Sequence, residues 1–423
     1  MRKYTFNATW LVFEKTIRII ATTLVAFYIA RYLGPQDFGQ LSYALAWLAI
    51  FGSLCSLGLD SIVLREISHH PERQNGIFST AIGMKFFVSL IFVLIVLGIY
   101  LCKADDVGMH LILIAACALI FQPLNLCEIF FQAKAESKKI VHFQVIQSLA
   151  SCILKLWIIY INGPLEWLLW SYVFDACFLG VGIYLRCQME KGITLSARYF
   201  DLQLGKKLLV SAFPMFLTGL SVATYMKIDL IMLEQMASLD ELGIYSAAAK
   251  LSESWYFIPV AITGAFSPLL FKLKKENQEA FNLKLQELYS LLIWGSIILG
   301  FATSLFSNDI IQLIYGTKFQ TADHVLLVHI WSGVFVCIGL VNSIALLSEN
   351  KLYQNLIRTL LGGIINISLN FLFIPTFGVL GAAYATLIAY AFSGHFSVIL
   401  FKNGFHELML PIKSLMRIPR IFS

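Results

Sequence analysis

The sequence has few charged residues: Asp, Glu, Lys and Arg make up only 13% of its 423 residues. Soluble domains carry about 25% charged residues. Hydrophobic residues account for 58% of the chain, and the mean hydropathy is +0.77. This balance excludes an ordinary soluble globular protein. It predicts an all-α polytopic membrane protein, whose many apolar helices each cross the bilayer.

Several functional motifs are also missing. No GxxxxGK[ST] phosphate-binding motif is present, which argues against direct use of ATP. The eight cysteines form no CxxC and the eight histidines no HExxH, so we expect no metal, cofactor or disulfide framework. A net charge of +6 suggests nucleic acid, but the basic residues are dispersed among the loops, and we exclude that partner. The first apolar segment lacks a small-residue cleavage site, so we expect no cleavable signal peptide.

The apolar segments predict twelve transmembrane spans. Their approximate bounds are 10–33, 38–59, 77–101, 108–132, 140–161, 165–186, 208–236, 243–270, 285–306, 325–347, 355–374 and 379–401. Loops on one side of the membrane, together with both terminal segments, hold 21 Lys and Arg residues, and the opposite loops hold three. The positive-inside rule therefore predicts that both termini are cytoplasmic.

An internal repeat divides the chain. Residues 37–44 (DFGQLSYA) align with residues 241–248 (ELGIYSAA), and each segment enters an even-numbered span. Six spans per half bring both halves to the same side of the membrane, so the repeat is parallel. We expect two six-helix lobes, at 1–200 and 201–423, around a central cationic cavity. A chance match of eight residues is the open alternative.

Charged residues inside the predicted spans are the candidate functional residues. Each costs roughly 2.5–3.5 kcal/mol at the centre of a membrane helix, so they predict a hydrated interior. The candidates for substrate binding are Lys15, Arg18, Lys85, Lys227 and Lys250. The candidates for ion coupling are Glu14, Asp175, Asp229 and Glu253.

These candidates leave alternatives open. The first-span charges Glu14, Lys15 and Arg18 share one helix sector, but they could instead lie near the cytoplasmic end and snorkel to the headgroups. Lys227 and Asp229 diverge by about 200° around their helix, which favours Lys227 at the cavity and Asp229 against another helix.

Five charged residues have individual interpretations. Lys250 and Glu253 are three residues apart and either support each other or contact substrate. Arg358 lies at the start of a span and is expected to snorkel, and Lys155 has no local partner in the sequence. Asp175 lies close to mid-membrane, where a carboxyl group could take up a proton.

A family resemblance adds a specific function. The run from Ala30 to Tyr43 (ARYLGPQDFGQLSY) and the run from Ser56 to Glu66 (SLGLDSIVLRE) resemble the N-terminal signature of Wzx-type O-antigen flippases. These belong to the polysaccharide-transport branch of the multidrug/oligosaccharidyl-lipid/polysaccharide (MOP) exporter superfamily. The resemblance implies a transporter, not an enzyme, in the bacterial inner membrane.

The same resemblance implies the cargo and the mechanism. The substrate would be an undecaprenyl-pyrophosphate-linked oligosaccharide, moved by alternating access to the outer leaflet, with a glycan polymerase and a chain-length regulator as candidate partners. Basic residues suit a pyrophosphate, which needs charge compensation in a low-dielectric site. The alternatives are a drug/cation antiporter of the same superfamily and a membrane glycan polymerase. A polymerase is expected to carry a large outer loop with catalytic Arg or His, whereas the predicted outer loops are short.

Overall fold

The computed structural model describes residues 2–103, 107–134, 136, 138–190, 196–349, 351–401 and 404–415, without the side chains of residues 2–17, 197, 404–407 and 415. Its α-helices, in chain order α1 to α17, are Arg2–Ser56, Leu59–His69, Gln74–Cys102, Val107–Ala116, Cys127–Ala133, Lys138–Tyr160, Leu165–Gln188, Leu202–Met236, Leu239–Glu253, Phe257–Glu276, Gln278–Leu305, Ser307–Tyr315, Ala322–His329, Ser332–Ser348, Leu352–Phe377, Val379–Gly394 and Gly404–Leu415.

The prediction of an all-α polytopic membrane protein is confirmed. Over the described ranges the chain contains no strand, and ten helical stretches are long and apolar enough to cross a membrane. The second predicted span and residues 18–33 of the first lie within one of these stretches, Arg18–His69, and the last predicted span begins with the 16-residue helix α16. The number of twelve spans therefore stays a prediction.

A glycine separates the first two predicted spans. Gly34 has φ 78° and ψ 176°, which breaks the helical geometry inside α1 immediately before Pro35. An L residue with a side chain rarely adopts this backbone conformation, and proline removes a backbone hydrogen-bond donor. The Gly34–Pro35 pair thus kinks the helix where the sequence predicts a loop.

The segments of the internal repeat make equivalent contacts. A Cβ on Gly39 would overlap the carbonyl oxygen of Leu239, and a Cβ on Gly243 would overlap the carbonyl oxygen of Pro35. Leu239, which contacts Gly39, lies four residues before Gly243. Pro35, which contacts Gly243, lies four residues before Gly39. Both pairs of equivalent residues, Pro35 with Leu239 and Gly39 with Gly243, share the sequence offset of the repeat. The crossing therefore has local two-fold character, as a parallel repeat requires.

The chain divides into two compact units. Unit 1 comprises residues 1–33 and 40–223, and unit 2 comprises residues 34–39 and 224–423. The change from one unit to the other falls inside the long helix α8. The predicted lobes, with their boundary between residues 200 and 201, stay a prediction.

Each unit has its own apolar core. In unit 1 the core joins α2, α3, α5 and α7 to the first turns of α8, with Phe78, Phe130 and Phe131 fully buried. In unit 2 it joins α10, α11 and α14, around Leu270 and Tyr289. Polar side chains buried beside these cores are therefore held by tightly packed helices.

Candidate functional site

Asp229, on α8, is the most deeply buried acidic side chain of unit 2, with 3% of its surface exposed. Its Oδ2 accepts hydrogen bonds from the hydroxyl of Tyr245 on α9, at 2.6 Å, and from the hydroxyl of Thr386 on α16. Its Oδ1 accepts a hydrogen bond from the side-chain amide of Asn370 on α15, at 2.7 Å. Three neighbouring helices thus position one carboxylate.

All three donors to Asp229 are neutral. Among the residues that the structure describes, Asp229 forms no ion pair. Asn366 lies one helical turn before Asn370, and its Oδ1 accepts a 3.3 Å hydrogen bond from the Asn370 amide nitrogen. The Oδ1 of Asn370 is buried without a described partner. A buried carboxylate surrounded by neutral oxygen atoms can be neutralised by a proton or by a hard monovalent cation.

A second set of polar groups lies on the same two helices, α8 and α9. Lys227 Nζ is 3.4 Å from a carboxylate oxygen of Glu253, the last residue of α9. One residue earlier, the hydroxyl of Ser252 lies 2.6 Å from Nδ1 of the buried His329. The His329 ring packs edge-to-face on Tyr245, which in turn bonds Asp229. The site therefore combines a partly exposed ion pair with the buried carboxylate.

Arg358 is a buried cation, and the expectation that it snorkels is wrong. Only 3% of its surface is exposed. Its guanidinium donates to the carbonyl oxygen of Gly339 and to Ser343 Oγ, both at 2.6 Å, and to Asn355 Oδ1 at 2.9 Å. In the described part of the chain no carboxylate pairs with it. The physical reason is the polar face of α14, which offers acceptors inside unit 2 that an isolated span would lack.

In unit 1 the corresponding charges are paired. Lys155 on α6 forms an ion pair with Asp175 on α7, and its Nζ also lies 2.7 Å from Ser151 Oγ. Ser151 and Gln147 donate to the two oxygens of Asp175, at 2.9 and 3.2 Å. Lys155 lies 4.3 Å from the centre of the Tyr172 ring. The partners of Lys155 thus come from the next helix and from one turn earlier, although its sequence neighbourhood indicated none.

Lys85 is also paired. It lies on α3 with 5% of its surface exposed, and its Nζ is 2.6 Å from Asp60 Oδ1 in the first turn of α2. The sequence placed Asp60 just after a span and gave it no role. A salt bridge at this distance neutralises Lys85, so this lysine is less available to an anionic substrate than the sequence suggested.

The remaining predicted residues are placed as follows. The side chains of Glu14 and Lys15 lie outside the described residues. Arg18 is half-buried on α1, and Lys250 is exposed in the last turn of α9. Among the candidates, the structure brings Lys227, Asp229 and Glu253 onto adjacent helices of unit 2. Their role in substrate binding or coupling stays a prediction.

Sequence reasoning missed the groups that surround Asp229. Tyr245, Asn366, Asn370 and Thr386 are neutral, whereas the predicted site residues are all charged. One signal was available: Asn366 and Asn370 are four residues apart in a largely apolar span, so both amides face the same side of the helix. Polar pairs of this kind inside a membrane helix indicate a partner on a neighbouring helix.

The described helices and their buried charges together define an all-helical polytopic membrane protein. Residues 5–274 match the family described as "Polysaccharide biosynthesis protein". That match spans more than half of the chain, and the chain belongs to this family.

Two curated relatives align with nearly the whole chain. The "Capsular polysaccharide biosynthesis protein CapF" of Staphylococcus aureus is 22% identical, over 90% of this chain and 95% of the relative. The "Putative O-antigen transporter" of Shigella flexneri is 24% identical, over 89% of this chain and 92% of the relative.

Solved structures show the same fold. An inward-facing multidrug resistance MATE family transporter of the MOP superfamily superposes with a TM-score of 0.71 at 12% identity, covering 96% of both chains. The lipid II flippase MurJ, in an inward closed conformation, also gives a TM-score of 0.71, at 15% identity, covering 99% of this chain and 90% of that one.

Proposed function

We propose that this protein is a flippase that moves a lipid-linked oligosaccharide, of the O-antigen or capsule repeat-unit type, across the bacterial inner membrane by alternating access. The observation that carries the proposal is the family match over residues 5–274, in a chain whose described residues include ten helical stretches long and apolar enough to span a membrane. The relatives named for O-antigen transport and capsular polysaccharide biosynthesis, each aligned over about nine-tenths of this chain, support it. Both termini would be cytoplasmic, and a glycan polymerase would receive the product.

The cargo's pyrophosphate would be bound by basic residues. Lys227 is the strongest candidate, because its side chain is 29% exposed and its contact with Glu253 is long for an ion pair, at 3.4 Å. A phosphate oxygen competing for Lys227 would release the Glu253 carboxylate. Lys250, exposed one turn before Glu253, would add a second positive charge. Arg18, Lys85 and Lys15 remain further candidates.

Coupling to an ion would use Asp229. A buried carboxylate with only neutral partners costs several kcal/mol unless a proton or cation joins it. Occupation of the site would stabilise the packing of α8 against α9, α15 and α16, whose donors already point at the carboxylate. A conformation that exposes Asp229 to water would release the ion. Binding and release would thus favour different conformations of unit 2.

Deletion of the gene in its native host tests the proposed function. We expect loss of long-chain surface polysaccharide and accumulation of intact lipid-linked repeat units that an impermeant glycan-modifying reagent cannot reach from the periplasm. Reintroduction of the parent gene should restore the polymer. Repeat units that accumulate unpolymerised on the outer face would instead indicate a polymerase.

A drug/cation antiporter is the second candidate function, because a multidrug MATE transporter shares the fold with a TM-score of 0.71. The same deletion strain separates the two. If the protein is an antiporter, the deletion strain should have normal surface polysaccharide and increased sensitivity to cationic drugs. If it is a flippase, the strain should lose surface polysaccharide and keep its ordinary drug sensitivity.

A further inference from the structure

Unit 1 contains a polar cavity that the ion pairs described above do not explain. Its volume is about 380 Å³, within the usual range of small-ligand pockets. Polar side chains from α2, α3, α5 and the 3₁₀ segment before α5 line it. They are Asp60, Ser61, Lys85, Gln122, Asn125, Glu128 and Gln132, together with Ser56 at the end of α1.

The backbone is irregular at this cavity. The stretch Val107–Ala133 is one membrane span by length and composition, but its centre consists of two 3₁₀ segments, Cys117–Ile120 and Gln122–Leu126. In a 3₁₀ helix, residues three apart lie directly above one another. Gln122 and Asn125 therefore present their amides on one face. Departures from α-helical geometry inside a membrane are tolerated where the backbone is packed in protein or lines a hydrated cavity.

Two hydrogen-bond acceptors at the cavity have no partner. Gln122 Oε1 and Asn125 Oδ1 are buried, and within the described residues neither accepts a hydrogen bond. Buried amide oxygens normally have a partner, and leaving one without costs about 1–3 kcal/mol. Asp60 adds acceptor capacity, because its side chain remains 57% exposed after pairing with Lys85. Asp60 is therefore the accessible acceptor of the lining. The Gln122 and Asn125 oxygens have almost no accessible surface, so each would bind a ligand hydroxyl only after its amide group rotates.

The charge of the lining selects among ligands. Lys85 is paired with Asp60, whereas the acid Glu128 has no basic partner among the described residues. Such a cavity repels a pyrophosphate, and its amides and carboxylates do not suit an isoprenoid chain. Sugar hydroxyls, in contrast, both donate to amide and carboxylate oxygens and accept from amide nitrogens.

We propose that this cavity is the binding site for a sugar residue of the lipid-linked cargo, with Gln122, Asn125 and Asp60 as its hydroxyl-binding groups. This inference rests on the proposed function. It assigns the glycan to unit 1, whereas the proposed pyrophosphate and coupling residues Lys227 and Asp229 belong to unit 2.

The test compares two lipid probes that differ only in the sugar. The purified full-length protein in detergent is titrated with undecaprenyl pyrophosphate and with the same lipid carrying a disaccharide of the host's repeat unit, and affinities are read from the shift in thermal unfolding. The parent protein should bind the glycosylated lipid more tightly. Asn125→Ala removes an acceptor, and Ser61→Trp fills the cavity from its rim. Each should weaken binding of the glycosylated lipid by about fivefold or more and leave the bare lipid unchanged.

Gln312→Ala is the matched control, because Gln312 is a partly exposed residue of α12 in unit 2 and its side-chain amide bonds only Asn308 among the described residues. Gln132→Ala, at the exposed rim, serves as a third cavity variant if Asn125→Ala does not fold. A parent preference for the glycosylated lipid that survives all cavity substitutions overturns the glycan site and leaves the flippase proposal standing. If the folded parent binds neither lipid, both proposals fail.

Discussion

The buried charged side chains of unit 1 and those of unit 2 have different kinds of bonding partner. In unit 1, Lys85 pairs with Asp60 and Lys155 pairs with Asp175, so each buried cation has an acid on an adjacent helix. In unit 2, the two most buried charges, Asp229 and Arg358, are held by neutral hydroxyl, amide and carbonyl groups. Buried lysines of unit 1 thus pair with carboxylates. In unit 2, the buried carboxylate and the buried guanidinium do not pair with each other, and each bonds neutral groups.

This difference distinguishes buried charges that stabilise the fold from those that can bind and release an ion. A paired buried charge is already neutralised, and removing either partner leaves the other uncompensated. A buried carboxylate held only by dipoles still needs a counter-charge, which a proton or cation from solution can supply and later withdraw. Coupling is therefore expected in unit 2, at Asp229, rather than at Asp175.

The largest expected loss of stability comes from breaking a pair in unit 1. Lys155→Met leaves the half-buried Asp175 without its cation and should lower the free energy of unfolding by about 3 kcal/mol, the lower end of the range for a fully buried pair. The measurement is thermal unfolding in detergent, supported by the yield of monodisperse protein. The double variant Lys155→Met/Asp175→Leu should recover more than half of the loss. A single variant as stable as the parent would show that the pair does not stabilise unit 1.

A smaller effect is expected from the buried cation of unit 2. Arg358→Met leaves three acceptors without their donor but no uncompensated carboxylate, which predicts a loss of about 1–3 kcal/mol. Arg358→Lys should lose less stability than Arg358→Met but should remain less stable than the parent, because an ammonium group cannot reproduce the planar arrangement of guanidinium donors. The same unfolding assay applies. A loss as large as that of Lys155→Met would mean that an anion does pair with Arg358.

The smallest effect concerns an ion pair outside the spans. Glu349 follows α14, and its partial burial alone would raise its pKa, but hydrogen bonds from Lys274 at 2.5 Å and Lys351 lower the pKa below its ordinary value. Its contribution is therefore complete above about pH 4.3, the usual pKa of a free glutamate, and is lost as the pH falls through the lowered value. Glu349→Gln should remove under about 1 kcal/mol at pH 7.

The pH dependence is the check on this pair. Unfolding temperatures of the parent and Glu349→Gln, measured from pH 7 to pH 3, should converge at the acidic end. A constant difference over the whole range would contradict the contribution of the ionised carboxylate.

The sequence predicted the fold class well because hydropathy and loop charge depend on the bilayer rather than on tertiary detail. It also predicted that Lys227 and Asp229 diverge, since that follows from helical geometry alone. It failed for Arg358, because the acceptors that bury this side chain lie on another helix and include a backbone carbonyl. The partners of Lys155 and Lys85 were missed for the same reason: Asp175 and Asp60 come from neighbouring helices.

The sequence also did not predict the irregular backbone beside the cavity of unit 1. Pro123 lies within the irregular stretch, but a proline alone does not specify that 3₁₀ geometry occupies the segments Cys117–Ile120 and Gln122–Leu126. That geometry depends on packing within unit 1. The cavity lined by Gln122 and Asn125 therefore became visible only in three dimensions.

The most direct test of the account uses the purified protein in liposomes that contain a lipid-linked oligosaccharide. Movement of the glycan across the bilayer is followed with an impermeant glycan-modifying enzyme, under an imposed proton or sodium gradient. The parent protein and Asp309→Asn, a change of an exposed acid on α12, should translocate the glycan at similar rates. Asp229→Asn should fold, bind the lipid and fail to respond to either gradient. Gradient-driven translocation by Asp229→Asn at the parent rate, or no translocation by the parent, would contradict the account.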